Sequence, residues 1–235
     1  GSAIDCINHA AWKIMADQAD VIIAGGCESF SQLPRLYSTS VQPYRLNPIK
    51  LLEFELQPPQ MEGHKYIPLA EMGLTAENLV DMYGISREEQ DEFAFRSQTL
   101  AKKSIEAGYY VDEIVPVPVS QGKKKPPLDF KVDEFPRLSS LEVLAALPPA
   151  FKKGGTVTAG NSSGFNDGSS FVLLMTAEKA QELGYKPMAR WVAGAEFGVD
   201  PGIMGIAPAY AFLVALKRAG LKLSDMDIIE CNEAF

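Results

Sequence analysis

The sequence predicts an α/β fold from three features of its apolar pattern. Residues 3–15 carry apolar side chains at helical spacing, and residues 19–26 follow as a run that is apolar except for Asp20 and ends in two glycines. From residue 171 onward, apolar runs of strand length again alternate with helix-like segments. Runs without polar alternation are typical of strands covered on both faces, so the pattern indicates helices layered on buried strands.

The individual elements at the two ends of the chain follow from this pattern. A helix is predicted over 3–15 and a buried strand over 19–26. Later in the chain, Gly184 and Gly220 stand where two further helices would end. The elements predicted after residue 170 are a buried strand over 171–175, a helix over 178–183, a strand over 188–195, a helix over 207–219 and a strand over 226–231.

The middle of the chain has a different character. Residues 32–68 are rich in proline and lack periodicity, which indicates a loop-rich excursion from the sheet. Helices are predicted over 75–83 and 86–107, the second because it opens with the capping-box pattern Ser86-Arg87-Glu88-Glu89. Residues 113–119 alternate but contain two prolines, which cannot donate ladder hydrogen bonds, so they indicate an edge strand.

Composition excludes several classes of protein. With 46% hydrophobic and 22% charged residues in 235, the chain has the makeup of a globular protein rather than a disordered one. A formal net charge of −8 argues against nucleic-acid binding. No apolar run approaches the roughly 20 residues of a membrane span, and no signal pattern opens the chain, so we expect a soluble, cytoplasmic protein. Cys6, Cys27 and Cys231 fit neither a disulfide framework nor a metal site, and no metal is predicted.

The densest candidate for chemistry is the run of small residues over 154–170, where Gly, Ala, Ser, Thr and Asn predominate. Small residues let backbone approach a ligand closely, and the Ser and Asn side chains add hydrogen bonds. The run matches no phosphate-binding loop. Two interpretations stay open, tight structural turns and a ligand contact.

Two further motifs follow predicted strands. In Gly25-Gly26-Cys27-Glu28, the Glu28 carboxylate is either a general base or a turn residue bonded to nearby backbone. At the end of the chain, Asn232 is either a turn residue or a carboxamide that holds a water or an oxyanion, because α/β sheets place their chemistry beyond strand ends.

The remaining reactive side chains have structural interpretations. His9 is predicted to be partly buried in the first helix and His64 to be exposed in the proline-rich loop. Cys231 precedes Asn232, but adjacent strand residues face opposite sides, so Cys231 is predicted to pack in the core. Lys123-Lys124-Lys125 is interpreted as a solvated turn, or, with Lys152-Lys153, as a source of cations for an anionic ligand.

Taken in order, these motifs resemble the thiolase family of acyl-CoA acetyltransferases, and the resemblance covers essentially the whole chain. The matching segments are Gly1-Ser2-Ala3 with Ala24–Ser31, Met72–Asn78 with Tyr83–Asp91, Pro149-Ala150-Phe151 leading into Gly155–Gly168, Gly198–Pro201 with Met204-Gly205, and Asn232–Phe235. The resemblance implies a thiolase-like α/β fold of mixed sheets layered with helices, with an inserted loop domain and truncated at both ends.

The resemblance also implies a reaction, namely thiolysis of a 3-ketoacyl-CoA or the reverse Claisen condensation, through a cysteine acyl-enzyme. Coenzyme A or acyl-CoA is the implied substrate, with no covalently bound cofactor. Asn232 matches the residue that holds a water lining the oxyanion hole. The implied substrate contacts are Ser163 on the pantetheine arm, with Ala159, Phe151 and Met204 beside it, and Met72, Ala234 and Phe235 around the acyl group.

Three catalytic groups of the family have no counterpart in the sequence. The nucleophilic cysteine would directly precede Gly1, and the Gly-His-Pro histidine and the acid/base cysteine would follow Phe235. We therefore expect a central fragment that is catalytically silent alone. The alternative is a non-catalytic thiolase-like protein that binds acyl-CoA or lipid.

The resemblance divides the chain and implies that it assembles. Residues 1–31 correspond to part of an N-terminal α/β half, 32–153 to the inserted loop domain that covers CoA, 154–176 to the return to the N-terminal half, and 177–235 to the start of a C-terminal half. A homodimer or homotetramer is implied.

Overall fold

The computed structural model describes residues 2–32 and 72–235. They form two compact units. The first contains the described residues 2–32 with Phe165–Asn232, and the second contains residues 72–164 with Glu233–Phe235. The predicted proline-rich loop over 32–68 lies outside the described residues except for its first residue.

The first unit is built on a helix and a strand pair, in the predicted order. Helix α1 (Ser2–Met15) packs against strand β1 (Val21–Glu28). Strand β1 pairs in antiparallel fashion with β4 (Gly168–Met175), in a register that runs from Val21 opposite Met175 to Glu28 opposite Gly168. The predicted helix over 3–15 and the two strand positions are confirmed.

The predicted burial of these strands is wrong for the described residues. Ala24 is the one buried residue of β1, and no residue of β4 is buried. Among the described residues each strand has a single hydrogen-bonded neighbour, and α1 is the helix that packs against the pair. Apolar side chains such as Ile23 and Phe171 therefore stay exposed.

The later helices of the first unit are also confirmed. Helix α5 (Ala177–Glu182) begins after Thr176, whose hydroxyl accepts a hydrogen bond from the Lys179 amide at 3.1 Å. Helix α6 (Ala207–Ala219) follows a 3₁₀ helix over Pro201–Ile206, and a last 3₁₀ turn covers Leu223–Asp225.

The strands predicted over 188–195 and 226–231 do not form, because no described segment pairs with either one. Side chains hold the first segment instead. Trp191 Nε1 donates to Asn8 Oδ1 at 3.1 Å, and Arg218 Nη1 donates to the Gly194 carbonyl at 2.6 Å. Without a strand, the predicted core position of Cys231 is lost, and the residue is exposed.

The described residues contain one stretch that could cross a membrane by length and apolar composition alone, Pro201–Ala219. No membrane span was expected from the sequence. The stretch contains the 3₁₀ helix and α6, and it is kinked within the 3₁₀ helix at Ile203, whose φ of −131° is not helical. A core helix of a soluble protein passes the same test.

The second unit contains the predicted helix pair. Helix α2 (Met72–Tyr83) begins three residues before the predicted start at residue 75, and α3 (Arg87–Glu106) begins at the predicted cap. The Ser86 hydroxyl accepts from the Glu89 amide at 3.1 Å, and the Glu89 carboxylate accepts from the Ser86 amide at 2.8 Å. The capping box is therefore confirmed.

A hairpin and a short helix complete the second unit. The predicted edge strand is shorter than expected and covers β2 (Val117–Val119), paired with β3 (Leu128–Phe130). The exposed lysines of 123–125 lie in the turn between these strands, as predicted. Helix α4 (Leu141–Ala145) was not predicted, and the hydroxyl of Ser140 caps it.

Candidate functional site

The second unit brings most of the predicted substrate-binding residues together. The Ser163 amide donates to the Ala234 carbonyl at 3.0 Å, which holds the last residues of the chain beside the small-residue segment. The rings of Phe151 and Phe235 meet edge to face with centroids 5.9 Å apart. These contacts connect Phe151 and Ser163 with the last two residues of the chain, which are distant from both in sequence.

Met72 directly precedes Gly73, the residue of α2 that approaches the Phe151 ring. A Cβ atom at Gly73 would overlap the Phe151 ring, so the absence of a side chain is what lets α2 approach the ring. The Met72 side chain is half exposed, and Phe235 is exposed to a similar degree. The N-terminus of α2 and the two phenylalanines thus offer an accessible apolar surface.

Buried and exposed positions alternate along the small-residue segment. Val157, Thr158 and Asn161 are buried, whereas Ala159 and Ser163 are exposed. The two predicted CoA contacts therefore face solvent, while the residues between them anchor the segment. Both open interpretations of this run have support, since it forms tight turns and presents an accessible face.

The first anchor is Glu77 of α2, which is 1% exposed. Its Oε1 accepts hydrogen bonds from the amides of Thr156 and Val157, each at 2.8 Å. The hydroxyl of Thr156 also receives a bond from Gln90 Nε2 of α3 at 2.8 Å. A buried carboxylate needs such donors, because desolvation is costly without them.

The second anchor is Asp91 of α3, which is 3% exposed. One carboxylate oxygen lies 2.7 Å from Arg87 Nε, and the other accepts from Asn161 Nδ2 at 3.0 Å. Asn161 Oδ1 in turn accepts from the Thr158 amide at 2.7 Å. Arg87 continues the network by donating to the Leu144 carbonyl at 2.5 Å.

These anchors are functional candidates that were not predicted from the sequence. Glu77, Asp91 and Asn161 all lie inside recognised motifs, but they carried no signal of burial. The available signal was helical spacing, since Glu77 stands one turn after Gly73, on the face that packs against the small-residue segment.

Two other predicted residues, Asn232 and Met204, belong to the first unit. Met204 lies in the 3₁₀ helix Pro201–Ile206, and both side chains are accessible to solvent. Their role next to the substrate stays a prediction. Glu28 at the end of β1 is exposed.

Of the five lysines considered as cations for an anionic ligand, Lys152 forms an ion pair. Its Nζ lies 2.6 Å from Asp81 Oδ2. This hydrogen bond raises the pKa of Lys152 above its ordinary value, so the ammonium group stays charged at neutral pH. Lys153 is exposed.

A carboxyl pair in the first unit gives a pH-dependent prediction. The hydrogen bond with Asp5, followed by the negative charge of Asp5, raises the pKa of Glu196. His9 Nε2 lies 3.4 Å from Asp5 Oδ1, and the His9 side chain is exposed, contrary to the sequence prediction. Because the raised pKa means that the folded state holds the proton more tightly, this pair favours folding at acidic pH and opposes it above the folded-state pKa.

We therefore expect Glu196→Gln to raise the melting temperature at neutral pH. It should leave the melting temperature unchanged below the ordinary glutamate pKa, where the carboxyl group is protonated in both the folded and the unfolded state. A glutamine removes the repulsion and still donates to Asp5. Thermal unfolding followed across the acid and neutral range checks this, with the exposed Glu230→Gln as the control. Equal effects of Glu196→Gln at both ends of the pH range would contradict it.

A second carboxylate, that of Asp167, lies directly before β4 and binds a residue that follows β1. Asp167 accepts from the Ser31 hydroxyl at 2.5 Å and from the Ser31 amide at 2.9 Å. These two hydrogen bonds lower the pKa of Asp167 below its ordinary value, and the bond from the hydroxyl contributes most. A lowered pKa stabilises the fold above the unfolded-state value, and this contribution disappears as the pH falls through the folded-state pKa.

We expect Asp167→Asn to lower the melting temperature at neutral pH and to have little effect at a pH where Asp167 is protonated in the unaltered chain. Ser31→Ala should have the same pH profile. Thermal unfolding of both variants from pH 7 down into the range below the ordinary aspartate pKa checks the pairing. A difference between Asp167→Asn and the unaltered chain that persists undiminished at the acidic end would contradict it.

The comparisons with known proteins agree with this arrangement. The Thiolase, N-terminal domain pattern matches residues 1–178, and the Thiolase, C-terminal domain pattern matches residues 185–235. The two patterns and the fold define an α/β protein of the thiolase type. The chain belongs to the thiolase family.

Relatives cover the whole chain. It is 48% identical over 237 residues to the acetyl-CoA acetyltransferase of Syntrophomonas wolfei, matching 100% of this chain and 59% of that protein. The crystal structure of the Bacillus anthracis acetyl-CoA acetyltransferase superposes with a TM-score of 0.82 at 43% identity, covering 100% of this chain and 58% of that one. The crystal structure of human mitochondrial 3-ketoacyl-CoA thiolase in complex with CoA superposes with a TM-score of 0.82 at 39% identity, covering 100% of this chain and 57% of that one. The chain thus spans less than two thirds of the length of these relatives.

Proposed function

We propose that the chain contributes the acyl-CoA-binding part of a thiolase-type acyltransferase. The observation that carries the proposal is the grouping of Met72, Phe151, Ser163, Ala234 and Phe235 in one unit, on a segment anchored by buried side chains. The pantetheine arm would run along the exposed face of Ala159 and Ser163. The acyl group would lie against Met72 and the two phenylalanine rings, since thioethers adapt to flexible apolar chains.

The proposed reaction is thiolysis of a 3-ketoacyl-CoA or its reverse. A cysteine thiolate attacks the 3-keto carbon, and the bond between C2 and C3 breaks. The released acetyl-CoA carbanion takes a proton, and the acyl group passes from the cysteine sulfur to the thiol of a second CoA. Asn232 would hold the water that donates to the developing oxyanion.

Residues 1–235 are proposed to bind without turnover, because the nucleophile, the histidine and the acid/base cysteine implied by the resemblance have no counterpart among them. Met204 would lie beside the pantetheine arm. The full enzyme is proposed to be a homodimer or homotetramer.

Titration calorimetry with CoA, combined with an acetoacetyl-CoA cleavage assay, tests the proposal. We expect saturable binding of CoA at one site per chain and no cleavage above the uncatalysed rate. A matched control is adenosine 3′,5′-bisphosphate, which lacks the pantetheine arm and should bind more weakly. Equal affinities for the two ligands, or no binding of either, would contradict the proposed site. Cleavage at an enzymatic rate would contradict the predicted silence of the chain.

A further inference from the structure

Glu77 is the charged residue with the least exposure among the described residues, at 1%. It takes no part in the proposed reaction. One oxygen of its carboxylate accepts hydrogen bonds from two successive backbone amides, those of Thr156 and Val157, each at 2.8 Å. Bonds to two adjacent amides fix the orientation of the peptide plane between them.

The backbone is shaped to admit this carboxylate. A Cβ atom at Gly155 would overlap the Glu77 Oε1 atom, so a residue without a side chain is needed directly before the two bonded amides. The Gly155 amide itself donates to the Lys152 carbonyl at 2.9 Å, which closes the turn that precedes the two bonded amides.

The orientation set at Thr156 and Val157 continues to the predicted CoA contacts. Val157 is 2% exposed, and its carbonyl accepts from the Ala150 amide at 2.9 Å, one residue before Phe151. Ser162 Oγ donates to the Thr158 carbonyl at 2.7 Å, one residue before Ser163. The peptide bonded to Glu77 is therefore connected to the residue before Phe151 on one side and to the residue before Ser163 on the other.

The helix that carries Glu77 also forms the wall of the apolar surface. Helix α2 begins at Met72, and Gly73 contacts the Phe151 ring one turn before Glu77. A single short helix therefore connects the acyl side of the site, through Met72, with the pantetheine side, through Glu77.

We propose that Glu77 is a positioning residue for acyl-CoA binding, which fixes the Thr156–Val157 peptide and so aligns Ala159 and Ser163 with the apolar surface at Met72. The inference rests on the proposed function. It assigns a role to a carboxylate that touches neither substrate nor reacting atoms.

The test compares Glu77→Gln, Glu77→Asp and Glu77→Ala with Glu106→Ala, which removes an exposed carboxylate at the end of α3 in the same unit. Glutamine keeps an acceptor oxygen at the same reach, whereas aspartate is one methylene shorter. We expect CoA affinity within about threefold of the unaltered chain for Glu77→Gln and Glu106→Ala. For Glu77→Asp and Glu77→Ala we expect a loss of at least about tenfold, or about 1.4 kcal/mol.

Hydrogen exchange of the Thr156 and Val157 amides supplies a readout independent of CoA. Protection should persist in Glu77→Gln and fall in Glu77→Asp, with the rest of the second unit still protected. If Glu77→Ala does not fold, the aspartate variant carries the comparison, and Gly155→Ala should reproduce its exchange pattern by displacing the carboxylate.

The outcomes separate this inference from the proposed function. Loss of amide protection in Glu77→Asp with unchanged CoA affinity would overturn the positioning role alone. Unchanged protection would overturn the anchoring on which it depends. Failure of the unaltered chain to bind CoA would overturn the proposed function, and with it the ligand named here.

Discussion

Asp91→Ala is expected to lower the free energy of unfolding by about 3–5 kcal/mol, the cost of removing one partner of a buried ion pair. The Arg87 and Asp91 side chains are 18% and 5% exposed, so the guanidinium group would lose its carboxylate while largely shielded from water. Asn161 would lose an acceptor at the same time. Denaturant unfolding, with the midpoint and slope fitted together, measures the change.

The chain offers a matched control on the same helix. Lys102 and Glu106 have the same spacing of four residues on α3, but their side chains are 55% and 64% exposed and the charged atoms are 3.8 Å apart. Exposed pairs of this kind contribute only tenths of a kcal/mol, roughly 0.3–0.5. Glu106→Ala should therefore change stability far less than Asp91→Ala. Similar losses for the two variants would mean that the Asp91 network is not a buried anchor.

Gly73→Ala is expected to destabilise the chain through overlap of the new methyl group with the Phe151 ring. Overpacking lowers the free energy of unfolding by about 1–3 kcal/mol. The higher helix propensity of alanine offsets up to about 1 kcal/mol of this loss. We expect a net loss of about 1–2 kcal/mol. Because Phe151 contacts Phe235 edge to face, the displaced ring should also weaken CoA binding.

Thermal unfolding and titration calorimetry with CoA check this prediction. The control is Gly198→Ala, since a Cβ atom at Gly198 would meet no atom within 4 Å. It should leave both stability and CoA affinity nearly unchanged. A stable Gly73→Ala variant that binds CoA as tightly as the unaltered chain would show that the ring is free to move and that the apolar surface is not a fitted site.

Local signals in the sequence were sufficient for the described α-helices other than α4. The capping box at Ser86 and the glycine that follows α6 depend on neighbours within a few residues, and both are present. Strands depend on partners elsewhere in the chain. Residues 188–195 and 226–231 have strand-like composition, but no described segment pairs with them, so they form no ladder.

The same distinction applies to the candidate site. Family motifs led to Phe151, Ser163 and Phe235, which the structure brings into one unit. The buried anchors were not predicted, because the burial of Glu77 is a property of the packing between α2 and a segment about 80 residues away. A charged side chain in a helix gives no such signal by itself, since most are solvated.

The most direct test of the proposed site is hydrogen exchange of the unaltered chain with and without saturating CoA. We predict that CoA slows amide exchange over residues 154–163 and at the last residues of the chain, Glu233–Phe235. The amides of the β2–β3 hairpin and of α5 should exchange at the same rates with and without CoA. CoA-dependent protection confined to other segments, or no change at saturation, would contradict the claim that this unit holds the acyl-CoA.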